Sequence, residues 1–413
     1  MAHDAGLLDE DEPVQPTYPG AMETVDLGEY GADFTANPYP YYARLRESGP
    51  VHKVRMAGGE PVWLIVGHEE ARAALADPRL SKSPATVGAM MLDEQVVGPN
   101  LLVLDPPDHT RLRKLVAREF TARRVENLSP RIQQITDELL EAMLPAGHGD
   151  LVDALAFPLP ITVICELLGI PAADRDAFRK WSNEVVAPTG ANAEADAVHA
   201  LAAYLDELIE DKRCAGPADD LLSALIQTRA EDDDRLSVAE LRALAYLLLI
   251  AGHETTVNLI SNGVRALLTN PDQLAALRAD FGLLDGAVEE MLRYDGPVET
   301  GTARFTAEPV PVGDRVIPAG ATVLVGIAAG DRDPSRYPAP DTFDIRRETR
   351  GHLAFGHGIH FCLGAPLARM EARIAIRTLL ERCPDLALDP SGGPLDWLPG
   401  LLMRGVRRLP VRW

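Results

Sequence analysis

The stretch HLAFGHGIHFCLG, residues 352–364, packs three histidines, three glycines and one cysteine into thirteen positions. Such a density of metal-binding side chains and flexible backbone asks what non-protein partner the loop serves. A structural zinc site could draw on His352, His357, His360 and Cys362, but the spacing lacks the paired ligands of the common zinc sites, and no second Cys pair lies nearby. A nucleophilic thiol would want a base and an orienting acid. His360 could be the base, yet nothing in that reading requires the glycines.

A third reading makes Cys362 the axial thiolate of a haem iron. Leu363-Gly364-Ala365-Pro366 follows, and Pro suits the first turn of a helix. Free N–H groups at that helix start would stabilise a thiolate. Gly356, Gly358 and Gly364 allow the tight backbone and close approach that a flat macrocycle needs, and Phe355 supplies an aromatic wall. Of the other cysteines, Cys165 and Cys383 sit in apolar helical contexts, and Cys214 reads as a loop residue.

Working outward, the pattern predicts a mainly α fold with a small β region. PVWLIVG (61–67) reads as a buried strand and 69–77 as a helix. Residues 84–104 lack a clean period and read as a long loop covering a site. From about 108 to 268 the chain is mostly helical. Ser237 and Glu240 form a capping box ahead of an apolar run that Pro271 stops. That helix would be about 50 Å long. Further helices are predicted at 283–294 and 366–382, with a small antiparallel sheet between them. Residues 1–33 read as a loose acidic leader, and 34–413 as one catalytic domain.

The long helix carries a polar interruption, AGHETT (251–256). Gly and Thr are poor helix formers, and Glu254 is costly to bury unless paired or used. One reading is a kinked helix with a satisfied Glu. The zinc-protease signature His-Glu-x-x-His fails, because residue 257 is Val. The functional reading is a groove: Ala251 and Gly252 admit a small ligand, and Thr255 and Glu254 relay protons.

These motifs together resemble the cytochrome P450 superfamily. Residues 355–364 match its Phe-x-x-Gly-x-x-x-Cys-x-Gly loop, and AGHETT resembles its oxygen-binding groove. Glu290-x-x-Arg293 is similar to its Glu-x-x-Arg motif, with Arg347 in FDIRR as third member and Arg346 as the alternative. The helix DHTRLRKLVAREF (108–120) resembles the one that holds haem propionates. The likeness runs from about residue 34 to the end. It is strongest to soluble bacterial members that oxidise macrolides and other polyketides.

The resemblance implies haem b with Cys362 as iron ligand. It assigns His109, Arg113, Arg304, His352, Phe355, Gly356, His360, Gly364, Ala251 and Gly252 to the cofactor. Thr255 and Glu254 become the catalytic pair, and Glu290, Arg293 and Arg347 a structural cluster under the haem loop. Substrate contacts are expected from Glu94, Leu247, Val298, Thr300 and Leu402, with Asp93 and Glu299 as further acidic candidates for an amino sugar. The implied activity is a monooxygenase. An epoxidising, ring-coupling or peroxide-driven enzyme, or a haem-binding protein without activity, are the alternatives.

Composition narrows the partners. The formal net charge is −22, from 40 Lys and Arg against 62 Asp and Glu. That disfavours nucleic acid and anionic membranes. The longest apolar run, 243–252, is short for a membrane span, no signal pattern opens the chain, and four scattered cysteines read as cytoplasmic. No flavin or nicotinamide fingerprint appears, so electrons are expected from a ferredoxin. Its expected dock is a basic patch of Arg111, Arg113, Lys114, Arg118, Arg123 and Arg124 with Arg369, Arg373 and Arg377. A monomer is expected.

Overall fold

The computed structural model describes residues 23–56, 59–89, 95–186, 189–228 and 235–413. The central helix is Val238–Thr269. Its start is a reciprocal cap: Ser237 Oγ accepts from the Glu240 N–H, and the Glu240 carboxylate accepts from the Ser237 N–H at 2.8 Å. Two orphan donors are thereby satisfied. Asn270 ends the helix, and Pro271 opens the next one, Pro271–Ala279. Among the described residues this is the one helix long and apolar enough to cross a membrane, and most of it is buried in protein.

Helices Pro158–Leu168, Ala193–Ala215, Leu284–Asp295 and Ala365–Arg382 pack around it. Their apolar faces merge into one core that includes Leu167, Leu205, Ile260, Val288 and Ile376. Close approach needs a glycine at one crossing. A side chain at Gly263 would meet Met291 Sδ at 2.7 Å.

The β region is larger and less regular than an antiparallel meander. Strands β1 (Val25–Asp26), β2 (Val51–Arg55), β3 (Val62–Ile65) and β4 (Leu80–Ser81) come early in the chain, followed by β5 (His148–Asp150). Strands β6 (Arg304–Thr306), β7 (Val310–Val312), β8 (Arg315–Ile317) and β9 (Thr322–Val325) follow the helical half. The main sheet runs β1-β2-β3-β9-β6-β4, with β7 and β8 as a separate hairpin. β9 pairs antiparallel with β6 but parallel with β3, so the sheet is mixed. The late strands β10 (Ala387–Leu388) and β11 (Pro410–Arg412) join β5.

Three expectations change. Residues 25–33 belong to the fold and not to a leader: β1 pairs with β2, and Leu27 is buried. Most of the expected leader, residues 1–22, lies outside the described residues. Cys214 sits in the last turn of helix Ala193–Ala215, where the helical run outlasts its apolar face. The stretch 84–104 is not wholly loop, because Pro84–Val87 forms a 3-10 turn. Glu94 and Asp93 lie outside the described residues.

Candidate active site

The cysteine loop is held by its own backbone. Cys362 N–H donates to the Phe355 carbonyl at 2.9 Å, and Gly356 N–H to that of Leu353 at 2.7 Å. Gly356 and Gly358 take φ of 72° and 77°, the left-handed region where a side chain is strained. Gly358 also lies against helix His68–Ala76, since a Cβ there would meet Leu75 O at 3.0 Å. The helix Ala365–Arg382 starts directly behind, with Pro366 in its first turn.

Cys362 is exposed, and so are its neighbours Ile359 and Phe361. Protein mass around the sulfur pushes the thiol up, whereas the Gly364 and Ala365 N–H groups, then Arg113 and Arg369, pull it down. The expected helix-start effect is therefore present, but burial outweighs it in the protein alone. A metal cation would reverse that balance.

Beside the loop lies a cluster of basic side chains around one carboxylate, Asp105. The His109 and His360 rings stand 4.2 Å apart. Both ring nitrogens of His109 and Nε2 of His360 have no hydrogen-bond partner among the described residues. Burial, then His109, Arg304 and Lys82, pushes the His360 imidazole down to about 3. Burial and Arg113 lower His109 as well. Arg113 donates to the Phe361 carbonyl at 2.5 Å. Buried polar nitrogens without partners are rare in native proteins. Crowded basic groups with unpartnered ring nitrogens fit a ligand that brings carboxylates. Together with an exposed thiol and a glycine-lined loop, they fit haem.

Arg304 and His352 are more committed than expected. Arg304 is buried and donates to the Leu80 and Leu75 carbonyls at 3.1 and 3.0 Å. His352 Nε2 lies 3.0 Å from Glu289, and its Nδ1 accepts from the Ala354 N–H at 3.3 Å. Phe355 lies beneath the Arg369 guanidinium, 4.4 Å from its ring centre.

On the central helix, Ala251 is exposed although its surroundings are core. Thr255 Oγ1 donates to the Ala251 carbonyl at 2.9 Å. Glu254 is nearly buried, and its carboxylate lies 3.5 Å from His253 Nε2. Gly252 packs closely against helix Pro158–Leu168. A side chain there would meet Ile164 Cδ1 at 3.3 Å, so its smallness serves helix packing.

The structural trio assembles. Arg293 is fully buried and grips both oxygens of Glu290, at 2.6 and 2.8 Å. Arg347 reaches Glu290 at 3.3 Å, and Arg346 stays exposed. Arg293 also donates to the Asp331 and Pro340 carbonyls at 2.9 Å, tying helix Leu284–Asp295 to the following loop.

Segments 298–300 and 401–403 run side by side, through a Val298–Met403 bridge and a Glu299 N–H to Leu402 O bond of 2.9 Å. Leu402 is exposed, and Val298 and Leu247 are partly buried against core residues. Thr300 is turned inward and donates to the Leu401 carbonyl at 2.8 Å. Glu299 is turned inward too: it is buried and bonded to the Tyr42 hydroxyl. Both side chains are satisfied within the protein, Thr300 by the Leu401 carbonyl and Glu299 by the Tyr42 hydroxyl.

Burial raises the Glu299 carboxyl to about 7. A carboxyl raised on folding stabilises the fold below the ordinary carboxylate range and loses that contribution as pH climbs through about 7. Glu299→Gln should therefore flatten the parent's decline in unfolding free energy between pH 5 and 8, by on the order of 2 kcal/mol. Urea titrations at several pH values would show it. Parallel profiles for variant and parent would mean that Glu299 is ionised throughout.

The family model for cytochrome P450 matches residues 185–406, more than half of the chain. The chain is a cytochrome P450. This P450 is 59% identical to the cytochrome P450 monooxygenase PikC of Streptomyces venezuelae over 392 residues, 94% of each chain. It is 47% identical to the 6-deoxyerythronolide B hydroxylase of Saccharopolyspora erythraea over 393 residues, covering 92% of this chain and 96% of that one. The solved structure of tirandamycin C-bound P450 monooxygenase TamI superposes with a TM-score of 0.85 at 47% identity, over 94% of this P450 and 99% of TamI. The family's cofactor is haem iron, and the activity of this P450 is that of a monooxygenase. Two relatives at the same 47% identity carry different ligands in their names, so overall likeness does not select the substrate.

Sequence reasoning passed over Lys82 and Ser182. Lys82 is buried, and desolvation first, then Arg304, brings its ammonium down to about 7. Nothing local marks either residue, because their partners lie far along the chain.

Proposed function

We propose that this P450 inserts one oxygen atom of O₂ into a C–H bond of a bulky, mostly apolar molecule, a macrolide or another polyketide. The observation that carries the reading is the exposed Cys362 in its glycine-bent loop beside the basic cluster of His109, Arg113, His360 and Arg304, with its unpartnered ring nitrogens. Haem b would be held there, with Cys362 as iron ligand and the cluster toward its propionates. Bound to the thiolate, the haem iron would supply the oxygen-activating chemistry.

The chain's own residues do the rest. His109 and His360 offer unused ring nitrogens to the propionates, and Arg113 adds charge. Gly356 and Gly364 keep the loop thin, and Phe355 walls it. Ala251 leaves space on the central helix. Thr255 Oγ donates a proton into that space, and Glu254 resupplies it. Val298, Leu247 and Leu402 form apolar walls for the substrate.

A separate one-electron donor of the ferredoxin class completes the system. The expected basic dock is weaker than composition indicates. Arg369 is paired with Glu289 at 2.6 Å, Arg373 with Asp285 at 2.8 Å and Arg377 with Glu381 at 2.9 Å. Residual attraction would come from the helix 108–119 and should fade with salt. We place the enzyme in the cytoplasm as a monomer with a single catalytic domain.

The test is the carbon monoxide difference spectrum of the reduced protein, followed by turnover of 6-deoxyerythronolide B as a macrolide probe. A red-shifted thiolate-type Soret band with a hydroxylated product is expected. A histidine-type band would overturn the reading.

Thr255→Ala keeps a small side chain and removes the hydroxyl. Probe binding should survive, while product per reductant falls about 10²-fold and hydrogen peroxide takes its place. Equal coupling in variant and parent would move the proton donor elsewhere.

A further inference from the structure

Lys82 is buried with no carboxylate on its ammonium. Strand β4 pairs antiparallel with β6, Leu80 opposite Thr306 and Ser81 opposite Phe305. That register, carried one step further, sets Lys82 opposite Arg304 of the basic cluster. Directly opposed residues share a face of a sheet, and like charges there repel. Both side chains are buried, and each crosses to the other segment's backbone. Lys82 Nζ donates to the Thr302 and Ala303 carbonyls at 3.0 and 2.9 Å, and also to Thr302 Oγ1. Arg304 bonds the Leu80 and Leu75 carbonyls. Among the described residues no carboxylate bonds either cation. Asp105 accepts instead from the Ser81 hydroxyl and the Lys82 backbone N–H.

A staple between two segments needs no ammonium. A neutral amide could bond the same carbonyls without burying a charge, which is unfavourable when unpaired. Burial and the facing Arg304 do disfavour the charged form of Lys82. An anion bound beside the two cations would offset that. Thr302 offers it a contact. Its oxygen accepts from Lys82, so its own proton is left to donate, and that proton has no acceptor among the described residues.

We propose that Lys82 is a positioning residue for the cofactor: its ammonium holds Thr302 as a polarised donor to a haem carboxylate and adds fixed positive charge beside Arg304. This rests on the reading above that the haem carboxylates lie at the cluster of His109, Arg113 and His360. It extends the cradle from helix Asp108–Glu119 to the β4–β6 edge.

The experiment compares two cofactors in one protein. The enzyme is reconstituted with haem or with haem dimethyl ester, whose carboxylates are methylated. Transfer of each to excess apomyoglobin is followed by absorbance. Lys82→Met keeps the unbranched apolar stem and removes the charge. Loss of haem should speed up about ten-fold, the scale of a hydrogen bond to a charged group. Loss of the diester should match the parent's. Thr302→Val leaves Lys82 on its two carbonyls and keeps the test open should Lys82→Met fold poorly. It too should lose haem faster, by a smaller factor, and the diester at the parent rate. Equal acceleration with both cofactors would make Lys82 a staple only. That result, or parent-like haem transfer from either variant, would overturn the proposal.

Arg113→Met, measured alongside, checks the placement of the carboxylates. If its loss of haem and of diester accelerates alike, that placement fails. If Arg113→Met discriminates between the cofactors and Lys82→Met does not, the placement stands and the role of Lys82 falls.

Discussion

Cys362→His should abolish product formation while leaving the fold and part of the cofactor in place. Imidazole can ligate iron, and the cradle of His109, Arg113 and His360 does not depend on the sulfur. What disappears is the anionic sulfur that pushes electron density toward the metal and favours O–O cleavage. The loop geometry makes this separable. Its hydrogen bonds run between backbone groups, Cys362 N–H to Phe355 O and Gly356 N–H to Leu353 O, and survive a side-chain change. The carbon monoxide band should move to a histidine-type position, and turnover of the macrolide probe should fall by at least about 10³-fold, on the scale expected when an essential group is removed. Cys165→Ala and Cys383→Ala, both buried in the core, should alter stability only. Product formation by Cys362→His at the parent rate would remove the thiolate from the account.

Arg293→Ala should be the most destabilising single change in the cluster behind the loop. The guanidinium is fully buried and holds both Glu290 oxygens. Truncating it leaves the buried Glu290 carboxylate with reduced compensation, and frees the Asp331 and Pro340 carbonyls that Arg293 now satisfies. Breaking one side of such a pair costs about 3–5 kcal/mol. Whole domains are stable by only about 5–15 kcal/mol. Arg347→Ala should cost far less, because Arg293 and the Asp344 N–H still satisfy Glu290. Denaturant unfolding and the yield of haem-loaded protein would measure both. A loss below about 1 kcal/mol for Arg293→Ala would show that the buried pair contributes little to the stability of the fold.

The two variants probe different parts of one design. Cys362 sits on a loop whose shape is local, set by glycines with positive φ and a helix start three residues on. The trio of Glu290, Arg293 and Arg347 ties helix Leu284–Asp295 to the segment 331–347 that leads into that loop. One failure should therefore be spectroscopic, the other thermodynamic.

The sequence alone determined what was local. The capping box at Ser237, the stop at Pro271, the helix behind Cys362 and the bent glycines each follow from residue types a few positions apart. Composition and period were enough for a mainly helical chain with a minor sheet. Only the tertiary structure decided which side chains meet, because partners far apart in sequence are chosen by how elements dock. Arg113 meets the Phe361 carbonyl across 248 positions, and Ser182 meets His253 across 71. Docking also reassigned residues whose types were read correctly. Gly252 packs against Ile164, Thr300 bonds the Leu401 carbonyl and Glu299 bonds the Tyr42 hydroxyl. Arg369, Arg373 and Arg377 find carboxylates that composition could not place beside them. A side chain's type fixes what it can bond, but burial and neighbours fix what it does bond. Those two quantities exist only once helices and sheet have packed.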